Sequence, residues 1–223
     1  MRSTSFPVTI VDNFFDDPDA IVEESLQHQF YNADIGNWPG KRTKQLHVID
    51  NRFFNYLGEK LFHLHFSKSP EEWTLQAHFQ KIQPFSEDQY NRKNRGWVHQ
   101  DIDTWFGGII YLTKNPEPDT GTSIYKTKKG WSLQYKEEIG MKEKLYLNEP
   151  IDEELYDEVY DRVHDQYVET VKVENVYNRL VMFDGLCHHG VQTFGTKERL
   201  TLNFFGVDFK SGPGSMPPVL RSR

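Results

Sequence analysis

The sequence predicts a mainly β chain with flanking helices, on three observations. Residues 73–82 alternate, with Leu75, Ala77 and Phe79 set against Gln76, His78 and Gln80, the two-residue period of a half-buried strand. Short apolar runs at 107–112 and 180–183 are bounded by polar and glycine-containing turn segments, and 199–203 alternates, as buried strands do. Helical spacing is confined to the first third of the chain and to one later stretch.

The elements follow in order. Residues 7–12 alternate and form a short strand. Asp16, Asp17 or Asp19 then caps a helix whose first turn takes Pro18, because a side-chain carboxylate satisfies free N–H groups and proline has none to lose. Ile21, Leu26 and Phe30 give that helix an apolar side. Trp38-Pro39-Gly40 is a turn, and Phe53, Phe54, Leu57, Leu61 and Phe62 mark a second helix. Residues 85–96 are polar and carry Arg92, Lys93 and Arg95. They form either a solvated loop or a loop that meets substrate. Residues 115–121 are a turn, and 127–175 are a long insertion. Within it Ile151, Leu155, Val159, Val163 and Tyr167 recur every four residues, opposite an acidic face of Glu153, Glu154, Asp157, Glu158, Asp161 and Asp165. That pattern predicts an amphipathic helix over 151–168, packed on the sheet or serving as a lid or dimer contact. Residues 211–223, with two glycines, three prolines and two terminal arginines, are expected to be a flexible tail.

Composition narrows the classes. A chain of 223 residues with 37% hydrophobic and 14% aromatic content suits one domain with a core built on Phe and Tyr. The net charge of −7 argues against broad nucleic-acid affinity but leaves room for a local basic groove. Cys187 is the only cysteine, so no intrachain disulfide forms and a reducing, cytoplasmic location is expected. Neither a membrane-spanning run nor a signal peptide is expected.

The chemistry centres on His99-Gln100-Asp101. In an extended strand residues 99 and 101 point the same way, and Asp103 shares that face. Two further imidazoles, His188 and His189, follow the apolar run at 180–183. Strand neighbours point to opposite sides, so only one of them joins the first pair. Two imidazoles and one carboxylate with open remaining positions are the ligand set of non-haem Fe(II) oxygenases. Trp97 and Trp105 flank this strand, as pocket wall or as packing.

The order and spacing of His99-Gln100-Asp101, Gly107-Gly108-Ile109-Ile110-Tyr111-Leu112, Gly121-Thr122-Ser123-Ile124-Tyr125, His189-Gly190-Val191 and Glu198-Arg199-Leu200-Thr201-Leu202-Asn203 resemble the Fe(II)/2-oxoglutarate-dependent oxygenase superfamily. The similarity is to its prolyl-hydroxylase-like branch and covers about residues 75–210. Val11-Asp12-Asn13-Phe14-Phe15 and Trp38-Pro39-Gly40-Lys41-Arg42-Thr43 are similar to a poorly characterised sub-family. The resemblance implies a double-stranded β-helix, the cupin-like jelly roll, over residues 1–210 as one domain. It implies metal ligands His99, Asp101 and His189, the last chosen because it lies six residues after Phe183 and ten before Arg199. Arg199 would clamp the far carboxylate of 2-oxoglutarate. Thr201 and Asn203 would be secondary contacts, and Tyr111 would hydrogen-bond the same carboxylate.

The implied cofactors are Fe(II), 2-oxoglutarate as co-substrate and O₂, with ascorbate in support. The implied reaction is oxidative decarboxylation of 2-oxoglutarate to succinate, coupled to hydroxylation of a small-molecule or peptidyl substrate. Asp101 argues against halogenation, since halogenating relatives lack that carboxylate. Gly121-Thr122-Ser123 stands where many prolyl hydroxylases have Gly-Gly-Glu, a departure from the prolyl-peptide pattern. The competing expectation is a cupin-like metal-binding module or isomerase, which has no use for Arg199.

Overall fold

The computed structural model describes residues 4–66, 68–133, 136–210 and 221–222. Two short strands open the chain, β1 (Thr4–Ser5) and β2 (Thr9–Val11), followed by α1 (Pro18–Leu26). Then come β3 (Tyr31–Asn32), β4 (Lys41–Arg42), α2 (Leu46–Ile49) and α3 (Asn51–His63). The central strands are β5 (Glu72–Ile82), β6 (Phe106–Tyr111) and β7 (Thr122–Thr127). Two helices, α4 (Lys136–Tyr146) and α5 (Glu153–His164), precede β8 (Tyr167–Val173), β9 (Leu180–Asp184), β10 (His188–Val191), β11 (Arg199–Lys210) and β12 (Arg221–Ser222). The major sheet runs β2-β9-β6-β11-β5-β4-β3 and the minor sheet β10-β7-β8, while β12 pairs with β1. All the ladders are antiparallel. This is the mainly β jelly roll with flanking helices that the sequence predicts. The tail expected at 211–223 lies outside the described residues apart from β12.

Side-chain alternation assigns the faces. Leu75, Ala77 and Phe79 of β5 join Leu200, Leu202 and Phe204 of β11 and Leu180 and Met182 of β9 in one cluster with Phe53, Leu57, Leu61 and Phe62 of α3. The sheet's outer face is thus sealed by a helix, the layer arrangement in which each apolar face finds a partner. The α1 and α3 helices start where their caps dictate: Asp17 accepts from the Ala20 N–H and Asp50 from the Phe53 N–H. Between the two sheets sit Tyr111, Ile124, Val173, Val181 and Phe183. The remaining inward positions line a cavity. Among the described residues no helix is long and apolar enough to cross a membrane.

Three expectations need correction. The strand through His99 and Asp101 reduces to an isolated bridge between His99 and His189, because Asp101 turns back through a Thr104 N–H bond to its own carbonyl. The stretch at 127–175 is not all insertion, since Tyr167–Val173 is a strand of the minor sheet. The helix predicted over 151–168 is Glu153–His164, and its buried residues are Tyr156, Val159, Tyr160 and Val163, with Leu155 41% exposed. A strict four-residue spacing drifts by roughly 40° per step around a 3.6-residue helix, so the packed face follows i, i+3, i+4, i+7 instead.

The loop at 85–96 is ordered by Asn94. Its side-chain oxygen accepts from the Phe85 and Ser86 N–H groups, and its amide donates to the Ser86 and Asp88 carbonyls. Two of the loop's cations are already matched. Arg92 donates two 2.8 Å hydrogen bonds to Asp161, and Lys93 lies 2.7 Å from Glu153. The acidic face of α5 therefore docks this loop, and Arg92 and Lys93 are not free to meet substrate.

Candidate metal centre and co-substrate pocket

His99, Asp101 and His189 each offer one ligand atom within 4.8 Å of the others. His99 and His189 exchange backbone hydrogen bonds of 2.9 Å in both directions, which brings their imidazoles to 4.3 Å between ring centres. Each ring is oriented in the same way. His99 Nδ1 lies 2.8 Å from the Trp97 carbonyl and His189 Nδ1 lies 3.0 Å from the Cys187 carbonyl. A carbonyl only accepts, so both Nδ1 atoms carry hydrogen and both Nε2 lone pairs face inward. Those Nε2 atoms sit 3.8 and 3.5 Å from the two oxygens of Asp101. The cavity walls around it, the neighbouring His189 and the positive charges of Lys142 and Arg42 hold the His99 imidazole below its ordinary pKa, although 42% of its side chain meets solvent. It is neutral near pH 7, as a metal ligand must be. Asp103 is not in this group, and His188 leans on the Tyr167 ring at 5.1 Å.

Gly107 makes room for the carboxylate. A Cβ there would stand 2.8 Å from Asp101 Oδ2. Gly107→Ala is therefore expected to displace Asp101 and weaken metal binding about tenfold, the low end for disturbing a ligand's support. Isothermal titration with Mn(II) reads the change, and unchanged affinity would show that Gly107 does not set the position of Asp101.

The triad opens into a cavity of about 250 Å³ lined by residues of β4, β5, β11, β10 and α4. Arg199 lies at one side, 3% exposed. Its Nε and Nη2 have no hydrogen-bond partner, and its guanidinium carbon is 5.5 Å from the Tyr111 ring centre. Burial lowers the Arg199 pKa, and Tyr111 partly offsets this. Unmade hydrogen bonds to a buried cation are costly, so the donors of Arg199 await an anion. Asn203 also lines the cavity, whereas Tyr111 and Thr201 lie behind its wall. Tyr111 donates to Thr122, a lining residue, at 2.8 Å. Thr201 donates to Asn203, which donates to Gln80, and Gln80 in turn donates to the Pro39 carbonyl. Trp97 walls the cavity, and Trp105 packs in the outer core.

The family described as DUF6445, a family of unknown function, matches residues 1–205. The chain belongs to this family. No curated protein matches it. Among solved structures it is similar to HygX from Streptomyces hygroscopicus with nickel and 2-oxoglutarate bound, at 12% identity over 92% of this chain and 84% of that one, with a TM-score of 0.55. HygX with nickel, 2-oxoglutarate and hygromycin B bound is 11% identical over 96% and 93% of the chains, with a TM-score of 0.50. A prolyl-4-hydroxylase from Pseudomonas putida is 14% identical over 92% and 93%, with a TM-score of 0.47. The likeness to HygX is one of fold alone.

Sequence reasoning passed over several pocket residues. Trp38, Pro39 and Arg42 stand in a stretch that aided family resemblance alone. Gln80 was visible only as the polar half of an alternating strand. Lys142 lies on α4, whose sequence has weak amphipathy and only three buried residues, Glu138, Leu145 and Tyr146.

Proposed function

We propose that this protein is a non-haem Fe(II) dioxygenase that couples decarboxylation of 2-oxoglutarate to succinate with hydroxylation of a second substrate. The observation that carries the reading is the shared cavity. It holds a two-histidine, one-carboxylate set beside a buried arginine with free donors. The donor set fits a divalent iron, since neutral imidazoles and one carboxylate leave coordination positions open and part of the ion's charge uncompensated. Bound iron would supply the activation of O₂ that side chains cannot provide.

The chain's own residues do the rest. The carbonyls of Trp97 and Cys187 lock the two imidazoles with Nε2 inward. Gly107 leaves space for the Asp101 carboxylate. Arg199 receives the distal carboxylate of 2-oxoglutarate through paired N–H donors, a planar fork that suits two carboxylate oxygens. Tyr111 buttresses Arg199 and donates its hydroxyl hydrogen bond to Thr122. Phe183, Phe194 and Phe205 line the wall and keep water from the reacting centre. About 250 Å³ is small beside the roughly 300–1,000 Å³ of usual ligand pockets. The second substrate is thus a small molecule or a single protruding side chain.

Succinate formation tests the reading. Protein supplied with Fe(II), 2-oxoglutarate, O₂ and ascorbate is expected to release succinate slowly without a second substrate, and His99→Ala is expected to release none. Wild-type protein that binds iron yet forms no succinate above that variant would instead support a cupin-like metal module.

A further inference from the structure

We propose that Arg42 and Lys142 form a second anion subsite in this cavity, one that takes a carboxylate or phosphate group of the primary substrate. The proposal rests on the oxygenase reading above, and it names the class of second substrate as a small organic acid or phosphate ester.

The register separates this subsite from Arg199. Arg42 of β4 pairs with Gln80 of β5, and Gln80 pairs with Thr201 of β11. Arg199 pairs with Ile82. Arg42 and Arg199 therefore share the inner face of the major sheet, two strands and two residues apart, roughly 12 Å between backbones. Arg199 has Tyr111 beside it. Arg42 is felt electrostatically at Asp101, His99 and His78, and Lys142 at Asp101 and His99. These two cations stand on the metal side of the cavity.

Neither is paired at contact distance, although Glu138, Asp101 and Glu143 act on Lys142, and Asp101 on Arg42, from farther off. Among the described residues neither makes an ion pair within 4.0 Å, whereas Arg92, Lys93, Lys172 and Arg179 all do. The Arg42 guanidinium lies 4.5 Å over the Trp38 ring, and its Nε is buried with no hydrogen-bond partner. Burial brings its pKa down to about 9, against the pull of Asp101. Burial likewise lowers Lys142, against the pull of Glu138, Asp101 and Glu143. An arriving anion relieves both.

The fold holds the two cations together. Gly36, at φ +65°, lies so close to α4 that a Cβ would come within 2.5 Å of the Glu143 carbonyl oxygen. The loop bearing Trp38 is thereby seated on the helix turn that bears Lys142. Charge balance points the same way. The charged residues lining the cavity are Arg42, Lys142, Arg199 and Asp101. A bound divalent ion and the 2-oxoglutarate dianion would cancel each other, which leaves three cations facing one carboxylate, with Glu138 and Glu143 acting on Lys142 from behind the lining. A neutral second substrate would enclose that imbalance, and enclosure of unpaired charge is costly. An anionic one reduces it, in a chain whose overall charge is −7.

The test uses full-length protein loaded with Mn(II), without O₂. Inorganic phosphate is titrated by calorimetry with and without saturating 2-oxoglutarate, and 2-oxoglutarate is titrated separately. Arg42→Gln is expected to weaken phosphate binding about tenfold or more and Lys142→Gln about threefold or more, as loss of a charge-assisted partner does. Both are expected to leave 2-oxoglutarate affinity within about twofold, while Arg199→Ala weakens 2-oxoglutarate and leaves phosphate bound. Lys142 is half-buried on α4, so Lys142→Gln decides the matter if Arg42→Gln melts early. The proposal is overturned if wild-type protein binds no phosphate, if neither substitution weakens it, or if Arg42→Gln weakens 2-oxoglutarate as much as Arg199→Ala does. Wild-type protein that binds phosphate through Arg42 but no 2-oxoglutarate would sink the oxygenase reading and leave the anion subsite standing.

Discussion

His99→Ala, Asp101→Ala and His189→Ala are each expected to abolish stoichiometric Fe(II) binding, and His188→Ala is expected to retain it. With three protein ligands, removing one leaves two contacts and an exposed gap in the coordination sphere. Disturbing only the supporting hydrogen bonds of a ligand costs about 10–100-fold in metal affinity, so losing the ligand itself costs more than about 100-fold. His188 is the control. It lies next to His189 on β10 but belongs to the opposite face, where it meets Tyr167. Anaerobic titration with Fe(II) and thermal melts on all four variants make the comparison. Iron kept by His189→Ala and lost by His188→Ala would reassign the third ligand.

Arg199→Ala is expected to weaken 2-oxoglutarate binding about 30-fold or more. Leaving a buried charge without its partner costs about 2–5 kcal/mol, and each 1.4 kcal/mol is about a factor of ten. Arg199 is buried with two donor atoms that lack a hydrogen-bond partner, so its removal leaves a co-substrate carboxylate at that spot without a cation. Tyr111→Phe should be milder, about 1 kcal/mol, since it removes one neutral hydrogen bond, that to Thr122. Calorimetry with Mn(II)-loaded protein reads both. Unchanged affinity in Arg199→Ala would remove it from the co-substrate site.

Local patterns carried what depends on neighbours in sequence. The alternation of β5, the Asp17 helix start and the apolar runs of β6, β9 and β11 are each decided by a few adjacent side chains. The shared face of Arg199, Thr201 and Asn203 is legible for the same reason, since a two-residue period needs no distant partner. The α5 face was less legible. Ile151 and Tyr167 satisfy a four-residue count and pack on the same cluster from outside the helix, but Leu155 turns to solvent, and within the helix Tyr156 and Tyr160 pack on Trp97.

Contacts between distant segments belonged to the tertiary structure. That Arg92 and Lys93 are held by α5 depends on where a helix some sixty residues later comes to rest. That Thr201 lies behind the cavity wall depends on its bond to Asn203. The gathering of Arg42 and Lys142 depends on Gly36 closing against Glu143, a contact between residues more than a hundred apart. By itself the sequence determined the strand and helix periods, the helix caps and the identity of the side chains able to bind a metal or an anion. Only the tertiary structure decided which of those side chains share one enclosed space and which find a counter-ion. The physical reason is range. Periodicity and capping are settled by covalent neighbours, whereas burial and charge pairing are settled by whatever segment the folded chain lays alongside.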